Sequence, residues 1–174
     1  MTTATIFADA SYDARNKAAG WAAWIKADGR ASAMASGAFK ALPSTSSDAE
    51  LLAIANAMHS ANRLGMIDQG AEILLQSDSV HALSIVLWAI PGSVERRHAN
   101  SAAIVRSKKP KLKDDSRKAV EVIRAIVDAR GLKVACRHVR GHTEGAGRQY
   151  VNRAVDAAAR TRMRQAKIAS GALQ

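Results

Sequence analysis

Residues 3–9 read Thr3-Ala4-Thr5-Ile6-Phe7-Ala8-Asp9, a short, β-capable apolar run closed by an acid. Its neighbours decide how that run is housed. Residues 20–27 carry Trp21, Trp24 and Ile25 and end at Asp28-Gly29, a dipeptide that signals a hairpin. Residues 31–42 return, Ala-rich, until Pro43 breaks them. The first three segments therefore read as an antiparallel meander.

Further along, strands and helices alternate. Ser44-Thr45-Ser46-Ser47 precedes a helix whose Leu51, Ile54, Ala55, Met58 and Ala61 recur at helical spacing until Gly65. Residues 71–76, with Ile73, Leu74 and Leu75 in sequence, read as a buried strand, and residues 80–89 as a helix up to Pro91-Gly92. Residues 119–129 form an amphipathic helix closed at Gly131, and residues 132–139 a strand. A glycine-containing loop over 141–147 leads into a long final helix from about Gln149, whose end over 168–174 is expected to fray. There is no internal repeat and no linker. The expectation is one α/β domain over 1–174, a mixed sheet flanked by helices.

Composition narrows the function classes. In 174 residues, 26 Lys and Arg stand against 15 Asp and Glu, a net charge of +11. Residues 1–92 hold six basic and eight acidic side chains, so the whole excess lies in 93–174. A domain this basic points to a polyanionic partner. Aromatic residues are only 4% of the chain, which disfavours stacked bases and favours phosphate contact. The basic stretch at 93–118 contains Lys108, Lys109, Pro110, Lys111 and Lys113; proline and alternating charge there predict an exposed loop. The single cysteine, Cys136, excludes an intrachain disulfide framework and a Cys-rich zinc module. The start of the chain lacks the basic region of a secretory signal, and the run 83–90 is too short to span a bilayer. A soluble, cytoplasmic protein without membrane association is expected.

Four acids stand where structural reasons for them are weak. Asp9 ends the first strand and Asp78 the fourth; if those strands pair, both carboxylates reach one sheet edge. Glu50 lies in the first turn of the first long helix, and Asp156 among Ala154, Val155, Ala157 and Ala158 of the last. Each has an ordinary alternative. Glu50 can close a Ser47-x-x-Glu50 capping box, Asp156 can pair with Arg160 one turn on, and Asp9 and Asp78 can begin turns or cap helices. Together, four convergent carboxylates make a hard oxygen site for Mg²⁺ or Mn²⁺. On a strongly basic protein its natural chemistry is phosphodiester cleavage with two ions. His142, in Arg140-Gly141-His142-Thr143 after the last strand, can titrate near neutral pH and carry a proton, although exposed loop histidines are common.

These residues resemble type 1 ribonuclease H from Thr3 to about Arg164. The resemblance rests on Asp9-Ala10-Ser11, Thr45 to Glu50, Ser77-Asp78-Ser79, Gly141-His142 and Asn152 to Asp156, in that order on the expected elements. It implies a ribonuclease H-like fold with a five-stranded mixed sheet of order 3-2-1-4-5. It implies hydrolysis of the RNA strand of an RNA–DNA hybrid, leaving 3′-hydroxyl and 5′-phosphate ends. Asp9, Glu50, Asp78 and Asp156 would hold two Mg²⁺ ions, with Mn²⁺ as a substitute, and His142 would assist proton transfer or product release. Ser11, Asn16, Thr45, Ser46, Arg148 and Asn152 would contact nucleic acid beside Lys108, Lys109 and Lys111. Residues 93–118 would form a basic protrusion, and the protein would act as a monomer. The chain departs from the family in Ala10, where glycine is usual, and in Ser46, where asparagine is often found. The alternatives are a nuclease of this fold acting on DNA and a hybrid-binding protein without catalysis.

Overall fold

The computed structural model describes residues 2–97, 102–106, 108, 110–140 and 148–169. The meander is present as β1 (Thr3–Asp13), β2 (Ala18–Ala27) and β3 (Ala33–Ala38). Then come α1 (Ser46–Arg63), β4 (Glu72–Ser77), α2 (Val80–Ala89), β5 (Val94–Glu95), α3 (Asp114–Arg130), β6 (Lys133–His138) and α4 (Arg148–Ala169). The sheet order is β3-β2-β1-β4-β6-β5. β1 and β2 pair antiparallel, as do β2 and β3, whereas β4 lies parallel to β1 and β6 parallel to β4.

The expected order 3-2-1-4-5 is observed with β6 as its fifth strand, and a sixth strand lies outside it. β5 adds only two residues at the edge, Val94 opposite Ala135 and Glu95 opposite Cys136. Two residues carry no alternation, so no periodicity could announce them. The edge is secured by the Arg96 amide, which donates to Cys136 O at 2.8 Å, and by an ion pair from Arg96 to Glu72. The segment expected as a protrusion thus begins as sheet edge and ends within α3, which starts at Asp114. Between them, the described residues 102–106, 108 and 110–113 form neither helix nor strand, as the lysines and Pro110 imply.

A second correction concerns β1. It does not end at Asp9 but pairs with β2 as far as Asp13 opposite Ala18. Its pairing with β4 stops at Phe7 opposite Gln76. Asp9 therefore lies inside one ladder and just beyond the other. The polar Ser11-Tyr12-Asp13 continues the strand because β2 supplies a full partner, and the turn closes with Asn16 donating to Asp13 from both its amide and its side chain.

Alternation along the strands sends consecutive residues to opposite faces. Ile6, Ala8, Ala23, Ile25, Ile73 and Leu75 join α1, α2 and α3 in the main core, where Leu51, Ile54, Met58, Leu83 and Ile123 are also buried. Phe7 and Ala22 face the other way and meet Val155 and Ala159 of α4. Gly20 of β2 lies directly under α4. A Cβ added there would stand 2.4 Å from Met163 N and 2.6 Å from Ala159 O, so helix and strand approach backbone to backbone. Among the described residues, no helix is long and apolar enough to cross a membrane.

Candidate active site

The parallel pairing of β1 and β4 places two of the acids. Asp9 follows Phe7 by two residues and Asp78 follows Gln76 by two, so the register that pairs Phe7 with Gln76 brings both to one sheet edge. Asp9 is 8% exposed, and Asp78 is exposed. Asp78 is fixed from both sides. Ser77 is fully buried and its Oγ accepts from Ser79 N at 3.1 Å, while Ser79 caps α2 by accepting from Ala82 N.

Glu50 arrives from α1. The cap of that helix is Thr45, not Ser47: Thr45 Oγ1 accepts from Asp48 N at 3.1 Å and donates to Asp48 Oδ2 at 2.6 Å. Thr45 and Asp48 thus do the capping, and Glu50 is released for other work. Carboxylate oxygens of Asp9, Glu50 and Asp78 all lie within 4.8 Å of one another. Asp156 stands close enough for its charge to act on Asp9, yet it lies outside that trio and accepts from Arg160 Nε at 2.8 Å. The ordinary pairing weighed for Asp156 is present beside the cluster.

The electrostatics of the trio are unfavourable without a cation. Burial first, then the charges of Asp78 and Asp156, push Asp9 up to about 7, against the pull of the Ala10 amide and Arg160. Burial first, then Asp9 and Asp78, push Glu50 up to about 9. Glu50 Oε2 is buried and has no hydrogen-bond partner among the described residues. A buried carboxylate oxygen without a donor, facing two further carboxylates, fits a hard divalent cation. Asp9, Glu50 and Asp78 would hold it, with Asp156 adjacent.

The remaining expected residues are spread around this centre. Ser11 is half-buried with its Oγ 3.4 Å from Met163 Sδ, Asn16 is bonded to Asp13, and Thr45 is engaged as a helix cap. Ser46 is exposed at the start of α1, and Asn152 is half-buried one turn before Asp156 on α4. Lys108 and Lys111 are exposed. Lys109 and His142 lie outside the described residues, as does the side chain of Arg148, the first residue of α4. Two buried residues bonded together at the start of the helix that carries Glu50 escaped the sequence reading. Asp48 is a buried acid, visible in retrospect as the second half of Thr45-x-x-Asp48, and Ser116 of α3 carries no local signal.

A mixed sheet with acids gathered where the parallel pairing of β1 with β4 stops, and helices on both faces, defines an α/β protein of ribonuclease H-like architecture. The sequence matches the RNase H family model over residues 1–164, and the chain belongs to that family. Compared as a sequence, it matches no curated protein. Solved structures share its fold. The N-terminal RNase H domain of Rv2228c from Mycobacterium tuberculosis, studied as a maltose-binding-protein fusion, is 17% identical with a TM-score of 0.64, covering 98% of this chain and 99% of that one. RNase H1 from the halophilic archaeon Halobacterium salinarum is 17% identical with a TM-score of 0.60, covering 94% and 99%. LC11-RNase H1 in complex with an RNA/DNA hybrid is 16% identical with a TM-score of 0.59, covering 94% and 98%.

Proposed function

We propose that this protein hydrolyses the RNA strand of RNA–DNA hybrids, with Asp9, Glu50, Asp78 and Asp156 holding two divalent ions, Mg²⁺ by preference. The observation that carries the reading is the meeting of three carboxylates from β1, α1 and the β4–α2 junction within 4.8 Å, one of them with a buried oxygen that has no donor among the described residues. Family membership supports a nuclease, and a solved relative of this fold holds an RNA/DNA hybrid. The bound ions would supply Lewis-acid stabilisation at the scissile phosphate and ease ionisation of the attacking water.

In the balanced reaction, the water oxygen bonds to phosphorus as the bond from phosphorus to the 3′-oxygen breaks. The products are a 5′-phosphate and a 3′-hydroxyl, the latter taking up a proton. Asp9, buried, and Glu50, half-buried with one oxygen enclosed, are fixed in regular elements and would set the position of the site. Asp78, exposed at the end of β4, faces the side from which nucleic acid can approach. His142 would carry a proton during transfer or product release. The exposed Lys108 and Lys111, with Lys109, would contact phosphates without reading bases. Ser11, Asn16, Thr45, Ser46, Arg148 and Asn152 would complete the contact with the hybrid.

The test is cleavage of labelled RNA–DNA, RNA–RNA and DNA–DNA duplexes of one sequence, with Mg²⁺ and with a chelator. Metal-dependent cleavage confined to the RNA strand of the hybrid is expected. Cleavage of DNA–DNA at a comparable rate would replace this reading with that of a DNA nuclease.

A further inference from the structure

The first turn of α1, which leads directly into Glu50, is tied to the first turn of α3 by two reciprocal links. Asp48 is 5% exposed, and each of its carboxylate oxygens receives one hydroxyl. Thr45 Oγ1 donates to Oδ2, and Ser116 Oγ of α3 donates to Oδ1 at 2.5 Å. In the opposite direction, Asp115 of α3 accepts from Ser44 N at 2.9 Å and from Ser44 Oγ at 2.7 Å. These links join residues 68 and 71 positions apart in the chain. Each helix start thus lends a carboxylate to a serine at the start of the other.

Geometry gives this interlock a direction. Asp48 and Glu50 are two residues apart, about 200° around the helix axis. One side of the turn is held by α3 while the other presents Glu50 to β1 and β4. A buried carboxylate is costly unless its oxygens are satisfied, so loss of a donor would loosen this turn in particular. The chain enters α3 through Lys111-Leu112-Lys113, with Leu112 packed on the core and both lysines exposed. The lysine-bearing segment and the turn leading into Glu50 are therefore mounted on one joint.

We infer that Asp48 and Ser116 are positioning residues, which hold Glu50 in register for the metal. The inference deepens the nuclease reading, but its decisive measurement needs no nucleic acid. The full chain is titrated with Mn²⁺ alone, by calorimetry. Variants are Ser116→Ala, Asp48→Asn, Ser116→Thr, which keeps the hydroxyl, and Ile123→Val, which weakens α3 packing away from the joint. Ser116→Ala and Asp48→Asn should each lower Mn²⁺ affinity by about tenfold, the lower end of the cost of losing a residue that orients a ligand. Ser116→Thr should retain wild-type affinity, and Ile123→Val should retain it while lowering Tm. In hybrid cleavage, the first two should lower kcat and leave KM unchanged.

Unchanged Mn²⁺ affinity in folded Ser116→Ala and Asp48→Asn overturns the inference. So does an equal loss in Ile123→Val, which would reduce the interlock to general stability. Should the wild type bind Mn²⁺ but cleave no hybrid, the nuclease reading falls and the interlock is still decided by the affinities. A wild type that binds no Mn²⁺ overturns both.

Discussion

Arg160 Nε donates to Asp156 Oδ1 at 2.8 Å, one helical turn along α4, and its charge also reaches Asp9. Arg160 is thus a resident positive charge beside a site rich in negative charge. Exposed pairs at this spacing contribute only about 0.3–0.5 kcal/mol, so its effect should be seen at the site more than in overall stability. In Arg160→Ala, the rise in Tm produced by Mg²⁺ should exceed that of the wild type, because more repulsion is left for the ion to relieve. Equal rises in differential scanning calorimetry would remove Arg160 from the electrostatics of the site.

Asp78→Asn keeps the shape of a carboxylate and removes its charge. It should reduce hybrid cleavage by at least ~10²-fold, since even indirect ligand partners cost 10–100-fold. Circular dichroism and hybrid binding should be preserved. Turnover within a few-fold of wild type at saturating Mg²⁺ would rule out Asp78 as a ligand.

The raised carboxyls make a prediction about the metal-free protein. Glu50 titrates near 4.5 when unfolded and is pushed up to about 9 in the fold, and Asp9 rises from 3.8 to about 7. Between those values the folded state binds more protons than the unfolded one, so stability falls as pH rises. The contribution is full below about pH 4 and is lost by about pH 9. Asp28, Asp68 and Asp115 are held below the usual range by hydrogen bonds from Thr3, Arg30 and Ser44, and they act in the opposite sense at the acid end. Urea unfolding in chelator should therefore show stability declining from mildly acid to alkaline pH, and Glu50→Gln should flatten the decline. A flat profile in the wild type would contradict the burial of these acids.

If His142 carries a proton, His142→Ala should lower kcat by up to about 10²–10⁴-fold with KM little changed. Steady-state kinetics on a hybrid decide it. An unchanged kcat makes this an ordinary loop histidine.

Replacing Lys108, Lys109 and Lys111 with alanine should raise KM, spare kcat, and flatten the salt dependence of hybrid binding by roughly two to three units, at about 0.9 per phosphate contact. The change should be equal for hybrids of different sequence. An unaltered salt slope would reduce the segment to a solubilising surface.

Most of what locates the site was legible, and the misses have physical causes. Asp9 and Asp78 stood out because each follows an apolar run, and a parallel pairing of those runs was the simplest layout. Glu50 was found as a residue but given a capping alternative. The side chains at 45 and 48 take that role because the helix begins two residues earlier than Ser47-x-x-Glu50 requires. The start of α3 was hidden because Asp114 and Asp115, favourable at a helix N-terminus, sit beside lysines that read as loop. β5 is too short for any pattern. The burial of Asp48 depends on a hydroxyl 68 residues away, which no local window contains.

Gly20 acts as a depth stop. Because α4 rests on β2 through backbone atoms, the spacing between them is not set by a side chain that could be trimmed or repacked. The height at which α4 carries Asp156 over the sheet is thereby gauged by peptide geometry, which varies far less than a packed core. The adjustment is one-sided: the layer can be pried apart by a single methyl at position 20, yet no substitution there can draw it closer. Tolerance to drift at this contact is accordingly nil in one direction and unnecessary in the other, although the glycine itself carries no chemistry.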